Sequence, residues 1–191
     1  TQGVSSAASD VYKRQDQWIL RDALSVEATY FDQRITDLIQ GAGTTSINLD
    51  GTSSIHGIEL GATAYLMDGL TVRAAYTFLD GEDADGITLA RRPENVASLD
   101  IGYSFLDGAA ALNLGIVYTG GQQDIAFDAF YNQSRVELDS YTLVNLAGSY
   151  RFNDHAEAFA RVENLFDERY EDVYGYGGMG RLAVAGVKLS F

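Results

Sequence analysis

Ala183-Val184-Ala185-Gly186-Val187-Lys188-Leu189-Ser190-Phe191 ends the chain, and its pattern sets the reading of everything before it. Ala183, Ala185, Val187, Leu189 and Phe191 are apolar, while Lys188 and Ser190 stand between them. In an extended chain, side chains two apart share a face. The segment is therefore expected to be a strand with one wholly apolar side that finishes in an aromatic ring.

The same phase recurs upstream. Ala156, Ala158, Ala160 and Val162 alternate with Glu157, Arg161 and Glu163, and Val144, Leu146, Tyr150 and Phe152 alternate with Asn145, Ser149 and Arg151. Leu112 to Tyr118, Ala97 to Phe105, Leu70 to Phe78, Ile58 to Leu66 and Leu24 to Tyr30 behave alike. Eight strands of about ten residues are expected, the length a tilted strand needs to cross a bilayer.

The connections between them alternate in length. Met67-Asp68-Gly69, Leu106-Asp107-Gly108 and Asn153-Asp154 are tight, with residues suited to the positive φ of hairpin turns. The stretches 39–53, 80–94, 120–139 and 166–180 are long. Short turns at one end and long loops at the other are the arrangement of an outer-membrane barrel, in which the apolar face meets lipid. The opposite face carries charges inside the strands, namely Glu59, Arg73, Asp100, Arg151, Arg161 and Glu163. Charges facing a lumen need partners, so a ladder across neighbouring strands or to a plug is expected. Tyr76, Phe78, Tyr103, Phe105, Tyr118, Tyr150 and Phe152 stand at strand ends, as an interfacial aromatic girdle would.

Composition narrows the function. The 191 residues carry 13 Lys and Arg against 27 Asp and Glu, a net charge of −14, which would repel nucleic acid. No cysteine is present, so disulfides, thiolate metal sites and cysteine nucleophiles are excluded. No apolar run is long enough for a transmembrane helix. Residues 1–15 lack an apolar signal-peptide core and follow none of the strand patterns. They resemble translated adapter read-through and are expected to be a non-native leader, with the barrel portion occupying 16–191.

Catalytic chemistry is not indicated. His56 and His155 are the only histidines, without HExxH spacing, and no GxSxG stands in the chain. Neither a metal centre nor a cofactor is expected. Asp80, Glu82, Asp83 and Asp85 are hard-cation ligand types without the register of an EF-hand, and a solvated acidic loop is the expectation. The glycines at 175, 177, 178 and 180, interleaved with Tyr174 and Tyr176, suit either a ligand contact or simple hairpin turning. Arg91 and Arg92, beside Pro93, are placed to pair with the acidic loop or to meet an anionic ligand.

At this point the residues resemble a known family. Val162-Glu163-Asn164-Leu165-Phe166-Asp167-Glu168-Arg169-Tyr170, then a Gly- and Tyr-rich loop and Gly180-Arg181 opening a last strand, is similar to the end of TonB-dependent receptors. Ile55-His56-Gly57-Ile58-Glu59-Leu60 and Leu89-Ala90-Arg91-Arg92-Pro93 are similar to two further elements of that family, the second prominent in cobalamin and siderophore receptors. The resemblance covers about residues 17–191. It implies an all-β, antiparallel barrel with meander topology, whose parent has about 22 strands and a plugged lumen. It also implies uptake of a siderophore-iron or cobalamin-like ligand, with no enzymatic activity, in the bacterial outer membrane. The implied partners are outer-membrane lipid, the plug domain and remaining barrel, the TonB complex, and the barrel-assembly machinery, which would read Val187, Leu189 and Phe191. Two other readings of the residues stand beside this one: a stand-alone eight-stranded barrel with a structural or adhesive role, and a soluble ligand-binding β-sandwich.

Overall fold

The computed structural model describes residues 7–19, 23–42 and 45–191. Among them lie strands β1 (Ala7–Ile19), β2 (Leu24–Thr36), β3 (Ile39–Ala42), β4 (Thr45–Asn48) and β5 (Thr52–Met67). Then follow β6 (Leu70–Glu82), β7 (Asn95–Phe105), β8 (Ala110–Thr119), β9 (Gln122–Phe127) and β10 (Gln133–Leu138). The last are β11 (Tyr141–Asn153), β12 (Ala156–Glu163), β13 (Glu171–Val173), β14 (Tyr176–Gly177) and β15 (Leu182–Leu189). One antiparallel sheet of nine strands runs in the order β1-β2-β5-β6-β7-β8-β11-β12-β15, a meander.

All eight segments expected from alternation are in that sheet. Their register is set by the phase of the apolar residues, because a slip of one residue would turn every side chain to the other face. Leu24, Ala64, Val72, Ile101, Leu114, Leu146, Val162 and Ala183 stand directly opposite one another in a single row across eight strands. On the other face, Ser25, Thr63, Arg73, Asp100, Gly115 and Asn145 form a polar row.

No second layer covers the apolar face among the described residues. Leu60, Leu112, Leu146 and Val187 are all exposed on it, and the sheets beside the main one are two-stranded. This is not the geometry of a sandwich, whose apolar faces would seal each other. Aromatic rings border the face at both ends. Tyr30, Tyr76 and Tyr118 lie towards the long connections, while Tyr103 stacks on Phe105 at 5.1 Å and Tyr150 meets Phe152 edge-on at 4.9 Å near the short turns. From Thr142, opposite Tyr118, to Tyr150 is about 27 Å along the strand, enough for a tilted strand to span an apolar band.

The short turns form as expected. Gly69 and Gly108 adopt positive φ (78° and 80°), and Asn153 Oδ1 accepts the His155 amide at 2.9 Å. Three of the four long connections are hairpins: β3 with β4, β9 with β10, and β13 with β14. Pairing its own backbone is the way such a loop satisfies its amides and carbonyls. The fourth folds over the polar face, where Leu89 joins Phe31 and Ile55 in a small buried cluster flanked by Ile35, Leu38 and Leu79.

The first strand reaches beyond the segments that alternation marks. Ala7 to Gln15, part of the stretch expected to be a non-native leader, pair with β2 as the outer part of β1. From Lys13 to Gln17 the side chains do not follow the phase of the sheet. Lys13, Gln15 and Gln17 stand opposite Tyr30, Ala28 and Val26, on the apolar side. Main-chain pairing places this segment, with side-chain bonds from Arg14 to Glu27 at 3.2 Å and from Gln33 to Tyr12 Oη at 2.7 Å beside it, and no alternation announces it. β1 and β15 do not pair, and the sheet does not close on itself as an eight-stranded barrel would.

Candidate functional site at the long-connection end

Asp124 organises the end of the sheet that carries the long connections. It lies on β9, is fully buried, and receives three short hydrogen bonds. Arg91 donates from Nε to Oδ1 at 2.7 Å, the Ile125 amide donates to the same oxygen at 2.7 Å, and the Tyr174 amide donates to Oδ2 at 2.7 Å. Arg91, Asp124 and Tyr174 belong to three different long connections, so one carboxylate ties three loops together. Burial pushes this carboxyl up, but the Tyr174 amide, the Arg91 guanidinium and the Ile125 amide together outweigh it and hold it below the ordinary range.

Further bonds brace the same junction. The Arg91 amide donates to the Gln123 carbonyl at 2.7 Å, with Arg91 at φ 58°. Arg135 Nη1 donates to the Thr88 carbonyl at 2.8 Å, and Gln122 Nε2 to the Asp172 carbonyl at 3.1 Å. Tyr141 Oη donates to Asp172 Oδ1 at 2.5 Å while its ring lies 4.4 Å from that of Tyr170. A cleft of about 480 Å³ opens here, lined by Glu137, Asp139, Tyr141, Arg169, Tyr170, Glu171 and Tyr174 among others.

The segment after β12 is held by Asn164, only 5% exposed, in the left-handed region at φ 50°. Its amide donates to Asn145 Oδ1 at 2.9 Å, its Nδ2 to the carbonyls of Glu168 at 2.9 Å and Met179 at 3.1 Å, and its Oδ1 accepts the Glu168 amide at 2.8 Å. Asp167 Oδ1 accepts the Arg181 amide at 2.8 Å, fixing where β15 starts. The residues Asn164 and Asp167 thus act as loop architecture. Leu165 continues the main-chain pairing by donating to Val144, and Phe166 is 72% exposed.

The structure distributes the remaining candidates as follows. Arg91 is engaged with Asp124, not with the acidic stretch. Arg92 lines a separate polar hollow of about 300 Å³ with Thr88, Glu94, Gln122 and Glu137. Tyr174 borders the tyrosine cleft, and Tyr176 is 75% exposed at the tip of the last hairpin. The expected ladder of charges on the polar face is only partly built. Arg73 stands opposite Asp100 and Arg151 opposite Glu157 without an ion pair, whereas Arg161 reaches Glu163 on its own strand at 3.5 Å. Glu59 faces Thr29 and Thr77 across the strands. Asp80 and Glu82 prove to be in β6, not in a loop, and His56 Nε2 lies 3.7 Å from Asp80. Asp83 turns its carboxylate onto the amides of Asp85 and Ile87 at 3.0 and 2.9 Å. No group of three His, Asp or Glu that could hold a metal occurs among the described residues.

Sequence reading missed Asp124. Its one signal was a carboxylate placed directly before the apolar Ile125-Ala126-Phe127.

Residues 14–165 match the family model described as TonB dependent receptor-like, beta-barrel. The vitamin B12 transporter BtuB of Vibrio cholerae serotype O1 is 32% identical over 151 residues, 78% of this chain and 24% of the transporter. The ferripyoverdine receptor of the outer membrane of Pseudomonas aeruginosa superposes at a TM-score of 0.81, over 97% of this chain and 27% of that one, with 18% identity. The ferric-catecholate import receptor Fiu of E. coli K12 gives 0.77 over 100% and 30%, with 20% identity. At such identities these structures speak for the fold alone. The chain spans about a quarter of the length of the curated relatives it matches.

Proposed function

The chain belongs to the TonB-dependent receptor β-barrel family, and on that premise we propose that it is the C-terminal part of the wall of an importer for a ferric-siderophore or cobalamin-like ligand. Its place is the bacterial outer membrane, with the row through Leu114 and Leu146 against lipid and the row through Arg73 and Asp100 towards the lumen. The observation that carries the proposal is Asp124, which gathers three long connections into one cap on the ligand-facing end.

The open edges of β1 and β15 support the need for further strands, since unpaired main-chain groups are not tolerated in hydrocarbon. In the closed barrel a plug would meet the luminal charges, and energy passed by TonB would release the ligand inward. Val187, Leu189 and Phe191, all strongly exposed on one edge, would be read by the barrel-assembly machinery during insertion. The relatives transport or receive cobalamin, ferripyoverdine and ferric catecholates, which is the range of cargo considered for this chain.

The test is a chimera in which residues 16–191 replace the corresponding part of the vitamin B12 transporter. Folding is verified by the heat-dependent gel mobility typical of closed barrels. Uptake of labelled cyanocobalamin or a ferric siderophore above an empty vector supports the proposal. A folded chimera that imports and binds neither overturns it.

A further inference from the structure

We propose that the cleft between the β9–β10 hairpin and the β13–β14 hairpin binds an organic cation, a ligand group of alkylammonium type. The inference rests on the receptor reading above and deepens it by naming a ligand class. Three features meet in this cleft. First, it has volume, about 480 Å³, sufficient for a small ligand or one arm of a larger one. Second, its walls are aromatic. Tyr141, Tyr170 and Tyr174 all line it, and the Tyr141 and Tyr170 rings are braced 4.4 Å apart by the bond from Tyr141 Oη to Asp172. The ring of Tyr170 lies so close over Gly178 that no side chain could stand there. A cation within about 6 Å of such a ring is attracted by the π face.

Third, the charge is predominantly negative. Glu137, Asp139 and Glu171 line the cleft against a single guanidinium, Arg169. Among the described residues the carboxylates of Glu137 and Asp139 meet no hydrogen-bond or ion-pair partner, and Glu171 accepts only the Gly175 amide at 2.9 Å. The cleft therefore has charge to spare for a ligand and would repel an anion. The chain as a whole, at −14, adds a long-range field of the same sign. Tyr141 belongs to the polar face, since it pairs with Thr119 in the register that places Asn145 and Ala147 there. A ligand in the cleft would thus sit over the lumen.

The experiment uses the full chain in octyl glucoside micelles, which carry no choline headgroup, with choline as the probe. Its neutral isostere 3,3-dimethylbutanol and sodium acetate serve as comparisons, and saturation-transfer NMR is the readout. Choline is expected to bind about tenfold more tightly than the isostere, with acetate not binding. Glu137→Gln combined with Glu171→Gln should remove the preference, since Gln keeps the acceptor for Gly175 but not the charge. Tyr170→Leu should abolish binding and Tyr170→Phe should retain it. Asp100→Asn, a carboxylate elsewhere on the polar face, should change nothing. Equal binding of the isostere, preference for acetate, or the same loss in Asp100→Asn would each overturn the proposal. Its failure is separable from that of the receptor reading. A chimera that imports cargo without a choline preference sinks the cleft alone, whereas choline binding in a chain whose chimera folds but imports nothing sinks the receptor.

Discussion

Arg91 and Asp124, 33 residues apart, meet through Nε and Oδ1 at 2.7 Å, with the carboxylate fully buried and the guanidinium half exposed. Their separation in sequence makes this pair a tie between loops. Its removal should be felt at the cap, not in the sheet.

Asp124→Ala should leave three donors without an acceptor at a buried point, a local cost of about 2–4 kcal/mol. Hydrogen exchange should speed at Ile125, Tyr174 and the Arg91 segment, with strand amides such as Leu114 and Leu146 unchanged. Exchange that rises evenly over the sheet would mean the residue supports the whole fold instead.

The same carboxylate gives the cap a defined response to acid. Its folded pKa is lowered, so in the unfolded chain it ionises at the ordinary value of 3.8 and in the cap below that. A group depressed in this way contributes stability fully present above 3.8, and that contribution is lost as pH falls through the folded value. Protection at Ile125 and Tyr174, corrected for intrinsic exchange, should hold from pH 7 to about 4 and then fall. Loss of protection already at pH 5 would contradict this account.

Asn164 combines a left-handed backbone with a fully used side chain. Asn164→Ala should therefore cost about 2–4 kcal/mol through the lost hydrogen bonds and the strained φ. Asn164→Gly restores only the backbone and should recover a part. Urea melts monitored by far-UV circular dichroism would rank the two, and equal stability of Ala and Gly would show that φ is irrelevant here.

Neighbouring residues of β7 separate the two faces. Leu99 lies between Ala74 and Ile116 on the apolar side, and Ser98 between Ala75 and Val117 on the polar one. In vesicles, Leu99→Arg should destabilise by about 2–4 kcal/mol while Ser98→Arg is nearly neutral. The reverse order would show that the lipid-facing side has been misassigned.

Much of this was written locally. The eight long strands and the three tight turns follow from period-two alternation and from Asp-Gly or Asn-Asp steps, which act over two to four residues. What alternation could not give was pairing that follows no apolar phase. The β1 pairing has no side-chain phase behind it, and the three hairpins inside the long connections are too short for a pattern to stand out. The charges of the polar face were visible as residues, but Arg73 and Asp100 show that facing one another in register does not make an ion pair.

The amino-acid order by itself determined which side of each strand is apolar and where the chain reverses, because steric preference and the hydrophobic period are properties of neighbours along the chain. The tertiary structure alone decided what the long connections do. Arg91, Asp124 and Tyr174 acquire a joint role only when the sheet brings three loops to one end, and hydrogen bonds reaching across 33 and 50 residues leave no trace in local sequence.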